Sequence, residues 1–102
     1  MKVVICSCAR CTAAGNEFLY DSANIVKKDL EIAYELENIS PLPDIEISYE
    51  NIMKEVENPE KSAPLAKIDD TYYTKAKPEV LMEHIFNEFT PKKKDRQWKN
   101  HT

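Results

Sequence analysis

The chain has 102 residues, 42% hydrophobic and 31% charged: enough apolar residue for one small core, which excludes wholesale disorder and a multidomain architecture. No apolar run approaches the roughly 18 residues of a membrane span, and Val3 to Cys6 is too short for the core of a signal peptide, so a cytoplasmic protein is expected. Residues 1–89 carry 9 Lys/Arg against 17 Asp/Glu, a net of −8, so this body should repel nucleic acid and is not expected to bind it.

Residues 2–6 are a β-branched apolar run and read as a buried first strand. From Thr12 to about Lys28 the positions Phe18, Leu19, Ala23, Val26 and Leu30 recur at helical spacing, which predicts a helix starting directly after the cysteines. Gly15 is the one glycine of the chain, so neither a phosphate loop nor a dinucleotide fingerprint can be built. Leu30, Ile32, Tyr34 and Leu36 then alternate with Glu31, Ala33, Glu35 and Glu37, the period of a half-exposed second strand.

Pro41 and Pro43 mark a turn. Beyond it Ile45, Ile47 and Tyr49 alternate, but Ile45, Tyr49, Ile52, Met53 and Val56 form a helical stripe with Asp44 as N-cap, and helix is favoured. Pro64 opens a third strand through Leu65 to Asp69, and Asp69-Asp70 turns it into a hairpin with residues 71–74. Lys67 is a charge in that third strand, where burial disfavours it. Pro78 and Glu79 start a last helix along Val80, Leu81, His84, Ile85, Glu88 and Phe89. The expected order is β-α-β-α-β-β-α in one α/β domain over residues 1–90. Residues 91–102, with Lys92, Lys93, Lys94, Arg96 and Lys99, read as a basic, disordered tail.

All three cysteines, Cys6, Cys8 and Cys11, fall within six residues and can cross-link only one another. Cys8-Ala9-Arg10-Cys11 is a C-x-x-C at a strand-to-helix junction. Free N–H groups at the helix start, with Arg10, stabilise a thiolate on Cys8, and Cys11 lies one turn on. The chemistry implied is thiol–disulfide exchange, Cys8 attacking and Cys11 resolving, with a protein thiol or disulfide as partner. It requires no cofactor. A soft-metal site is the weaker reading of the cysteines, and His84 joins it only if the last helix packs beside them.

The C-x-x-C after the first strand, Ser62-Ala63-Pro64 opening the third, and the run from Pro64 to Tyr73 followed by Lys77-Pro78-Glu79-Val80 resemble the thioredoxin-like superfamily, over roughly residues 2–15 and 62–89. The resemblance implies a central four-stranded mixed sheet with helices on both faces, and a cis-proline, Pro64, facing the C-x-x-C. Cys6-x4-Cys11-x3-Gly15 is similar to the first half of the thioredoxin-like [2Fe–2S] ferredoxins, in which Cys6 and Cys11 would be metal ligands. Those proteins carry a second cysteine pair before the Ala-Pro position, and here Glu57 to Ser62 has none. A cluster would then be shared between chains, as in a homodimer. The alternative function is accordingly a ferredoxin-related domain, either electron-transferring with a shared cluster or an interaction module that has lost it.

Overall fold

The computed structural model describes residues 1–90; the basic tail expected over 91–102 lies outside the described residues. Four strands, β1 (Lys2–Cys6), β2 (Glu46–Glu50), β3 (Ala66–Ile68) and β4 (Thr71–Tyr73), form one sheet in the order β2-β1-β3-β4. β1 runs parallel to β2 and antiparallel to β3, and β4 is antiparallel to β3. The helices are α1 (Ala9–Ala13), α2 (Asn16–Leu36), the single-turn α3 (Pro59–Ser62) and α4 (Pro78–Phe89), with a 3-10 turn at Met53–Glu55.

β1 is the central strand because its side chains can be buried on both sides, which only an uninterrupted apolar run permits. Val3 and Ile5 face one layer, built by Leu19, Ala23, Val26 and Leu30 of α2 with Leu81 and Ile85 of α4. Val4 and Cys6 face the other, with Cys11, Ile52, Met53 and Leu65. Both long helices therefore lie on the same side of the sheet. The second face carries only short pieces: α1, through Cys11, and the 3-10 turn with the residues around it, where a full helix over residues 45–56 was expected. Leaving aside that turn and the single-turn α3, and taking α1 and α2 as one helical segment, the order is β-α-β-β-β-α.

Two element assignments are corrected. Residues 30–36 belong to α2, not to a strand: Leu30 is 1% exposed, whereas Leu36 is 78% and Ile32 48% exposed, so the alternating apolar positions do not share a face. α2 ends where Asn38 takes a left-handed φ of 55° and the Ile39 N–H bonds back to the Tyr34 carbonyl at 2.9 Å. The Tyr34 hydroxyl then donates to the Phe89 carbonyl at 2.6 Å, tying the ends of α2 and α4 together. Residues 46–50 form β2, not a helix. Parallel pairing with β1 satisfies their backbone, and Tyr49 stacks on Tyr20 of α2 with centroids 4.4 Å apart.

The helix expected to run from Thr12 is broken at Gly15, whose φ of 95° suits glycine, and a Cβ there would approach the Phe18 ring to 3.2 Å. The break separates α1 from α2, and Cys11 of α1 meets the Leu65 N–H just ahead of β3. Lys67 lies on the thinly covered face, in register with Val4 and Tyr72. Its ammonium is 3.5 Å from Glu55 and 4.9 Å from the Tyr72 ring centroid, and the Tyr72 hydroxyl donates to the same carboxylate. A charge is tolerated there because no long helix closes over it.

Candidate functional site: a three-cysteine cluster

The three sulfurs come together at the carboxyl end of β1. Cys6 is the last residue of that strand and is fully buried, its N–H donating to the Leu65 carbonyl at 2.9 Å. Ser7 donates to the Glu50 carbonyl at 3.1 Å, so the strand end is pinned to both neighbours before the chain turns into α1. Cys8 is the N-cap of α1 and half-buried, with the Cys11 N–H donating to its Sγ at 3.4 Å. Cys11 is fully buried, and its Sγ accepts the Leu65 N–H at 3.3 Å. The three sulfurs lie within 4.8 Å of one another, and all three thiols are free.

Burial pushes the Cys8 thiol up, but this is outweighed by the Cys11 N–H, the neighbouring Cys11 and Cys6 thiols and the Arg10 N–H, which hold it below the ordinary thiol value. Burial, above all, pushes Cys11 up to about 12, against the lowering effect of the Leu65 N–H. One sulfur of the C-x-x-C is thus accessible and readily ionised, and the other is enclosed and retains its proton.

Arg10 is exposed and acts on Cys8 through its backbone N–H; its side chain lines a shallow groove with Glu57, Asn58 and Lys61. The Ala63-Pro64 bond is cis, in the isomer the resemblance implied. Pro64 immediately precedes the N–H that reaches Cys11, and its carbonyl accepts the Ala76 N–H at 2.8 Å. His84 does not join the cysteines: its Nδ1 is 3.1 Å from the Tyr73 hydroxyl, and α4 packs on the opposite face of the sheet.

Two asparagines complete the surroundings without having been anticipated. Asn16 is buried and donates to the Cys6 carbonyl at 2.9 Å; its signal was a polar residue on the apolar stripe of α2, three before Leu19. The Asn51 side-chain oxygen lies 4.0 Å from the Cys6 sulfur and accepts the Met53 N–H at 3.3 Å; the sequence carried no sign of it. On the α2 side a second groove runs past Thr12, Glu17, Tyr20, Asp21 and Tyr49.

Cys6, Cys8 and Cys11 could together hold a metal ion. They do not fit a [2Fe–2S] cluster within one chain, because that group takes four ligands and no fourth His, Cys, Asp or Glu joins the three among the described residues. Fold and site define a small α/β domain with a four-stranded mixed sheet and a cluster of three free cysteines. No protein-family model, curated protein or solved structure matches the chain.

Proposed function

We propose that this is a thioredoxin-like domain that carries out thiol–disulfide exchange through Cys8 and Cys11. The observation that carries the reading is the asymmetry of the pair: Cys8 is half-exposed with an N–H on its sulfur, and Cys11 is enclosed behind it, within 4.8 Å. The strand order β2-β1-β3-β4, with β3 running opposite to the other three strands, and the backbone after Pro64 resting on the second cysteine support the same reading.

In the reaction the Cys8 thiolate attacks one sulfur of a partner's disulfide, forming a mixed disulfide and releasing the partner's other sulfur as a thiolate. Cys11 then gives up its proton and attacks the Cys8 sulfur. A Cys8–Cys11 disulfide forms, the second partner thiolate leaves, and two electrons have passed to the partner. Positive charge around Cys8 is not needed for the first step, because N–H groups already favour its thiolate.

The test uses reduced protein and a disulfide substrate such as insulin. The wild-type chain should reduce it in the presence of a dithiol regenerant, and Cys8→Ser should lose the activity. Cys11→Ser should instead accumulate a mixed disulfide on Cys8, visible by mass spectrometry of the intact protein. Insulin reduction retained by Cys8→Ser, no mixed disulfide in Cys11→Ser, or trapping on Cys6 would overturn the assignment.

A further inference from the structure

Dithiol exchange forms bonds through two sulfurs, yet three converge, and Cys6 forms no bond in the reaction above. The geometry points to a second capacity: Cys6, Cys8 and Cys11 together form a three-sulfur site for one monovalent, thiophilic d10 ion, Cu(I), bound within a single reduced chain.

The donor set decides the class of ion. All three donors are sulfurs, and thiolates select soft ions over Mg²⁺ or Ca²⁺, which take oxygen. Structural zinc closes a tetrahedron of four protein ligands, whereas Cu(I) is satisfied by three sulfurs in a plane. Among the described residues no further Cys, His, Asp or Glu lies within the group. The surroundings are apolar: Cys6 and Cys11 are buried with Val4, Ile52, Met53 and Leu65, and Met53 adds a soft thioether to that lining. Such a pocket excludes water and disfavours strongly hydrated divalent ions.

Size and rigidity agree with this. A trigonal ion with bonds of about 2.3 Å, the length of a metal–thiolate bond, sets its sulfurs roughly 4 Å apart. The sulfurs here already lie within 4.8 Å, so closing on an ion takes less than about 1 Å per pair. Cys6 is held by its own N–H on Leu65 and by Asn16 on its carbonyl. Cys11 is held against the Leu65 N–H, and the half-exposed Cys8 provides the way in. On binding, each ligating thiol gives its proton to solvent, the ion remains Cu(I), and no electron moves. The site needs only three reduced thiols and stands whether or not Cys8 and Cys11 exchange disulfides.

Anaerobic reduced protein is titrated with Cu(I) against the chromogenic chelator bicinchoninate, in parallel with Zn(II) against its own indicator. One Cu(I) per chain is expected, with ultraviolet thiolate-to-copper absorption and an X-ray absorption spectrum showing three sulfur neighbours and no nitrogen. Cys6→Ser should weaken Cu(I) binding at least tenfold. Cys6→Ala, checked for folding by circular dichroism, repeats the test should serine disturb the buried position. One Cu(I) per two chains, unchanged affinity in a folded Cys6 variant, or one Zn(II) per chain that Cu(I) fails to displace would each overturn the assignment.

Discussion

Cys11 holds its proton up to about pH 12 because it is buried, whereas a thiol in an unfolded chain ionises near pH 8.5. The folded state therefore binds this proton more tightly. Its contribution to stability is full below the unfolded value and is lost as pH rises from there toward 12. Cys8 has the opposite sign: its lowered value favours the folded state above the unfolded pKa, and that contribution is lost as pH falls through the folded value. Melting temperatures of wild type and Cys11→Ala should thus differ most near neutral pH and converge between about pH 9 and 11. Lysines and tyrosines titrate in both proteins and cancel in the difference. A gap that stays constant over that range would show that Cys11 does not retain its proton in the folded state.

At the scale of elements, the first strand, the hairpin and the last helix were legible because each has one dominant signal. β1 is an apolar β-branched run, β3 and β4 flank Asp69-Asp70, and α4 begins at a proline. The C-x-x-C was legible in the same way, while the approach of Asn51 and of the Leu65 N–H depends on chain brought in from 40 or more residues away. The middle was misread because residues 30–36 satisfy both periods at once. What decides is continuity: Leu19, Ala23, Val26 and Leu30 already fix one helical face, and extending it to Leu36 continues the helix, whereas a strand would have to begin without any breaker. The two readings differ in an observable way. In a strand, Leu30 and Leu36 would share a face; in α2, Leu30 is buried and Leu36 exposed. Leu30→Ala should cost about 2–5 kcal/mol in denaturant unfolding, and Leu36→Ala no more than about 0.5 kcal/mol. Comparable losses at both positions would argue for the strand.

At the scale of the molecule, β1 divides two unequal layers. On one side α2 and α4 pack over Val3, Ile5, Ala66 and Ile68 with a tie from Tyr34 to Phe89. On the other, Val4, Cys6, Cys11 and Leu65 are covered by Ile52 and Met53 from a 3-10 turn, followed by a single-turn helix. Helix formation is cooperative and so short a helix has almost no stability of its own, which leaves this cover dependent on a handful of apolar contacts. Local opening follows buried contact, so hydrogen exchange should rank the two sides. Amides of β1, α2 and α4 should exchange slowest, by global unfolding, and those of residues 53–63 fastest among the structured segments. The cysteines sit on the weaker side. Drawing sulfurs within 4.8 Å into a disulfide of about 2.05 Å, or around an ion, requires a small rearrangement, and this side can yield without disturbing the packing of α2 on α4. Oxidation with a mild disulfide, or loading with Cu(I), should accordingly change exchange rates in residues 6–14 and 51–65 and leave the middle of α2 and α4 unaltered. Slow exchange across 53–63 equal to that of β1, or a change on oxidation centred on α4, would show that the two layers open as one and that the site is not set apart on the weaker face.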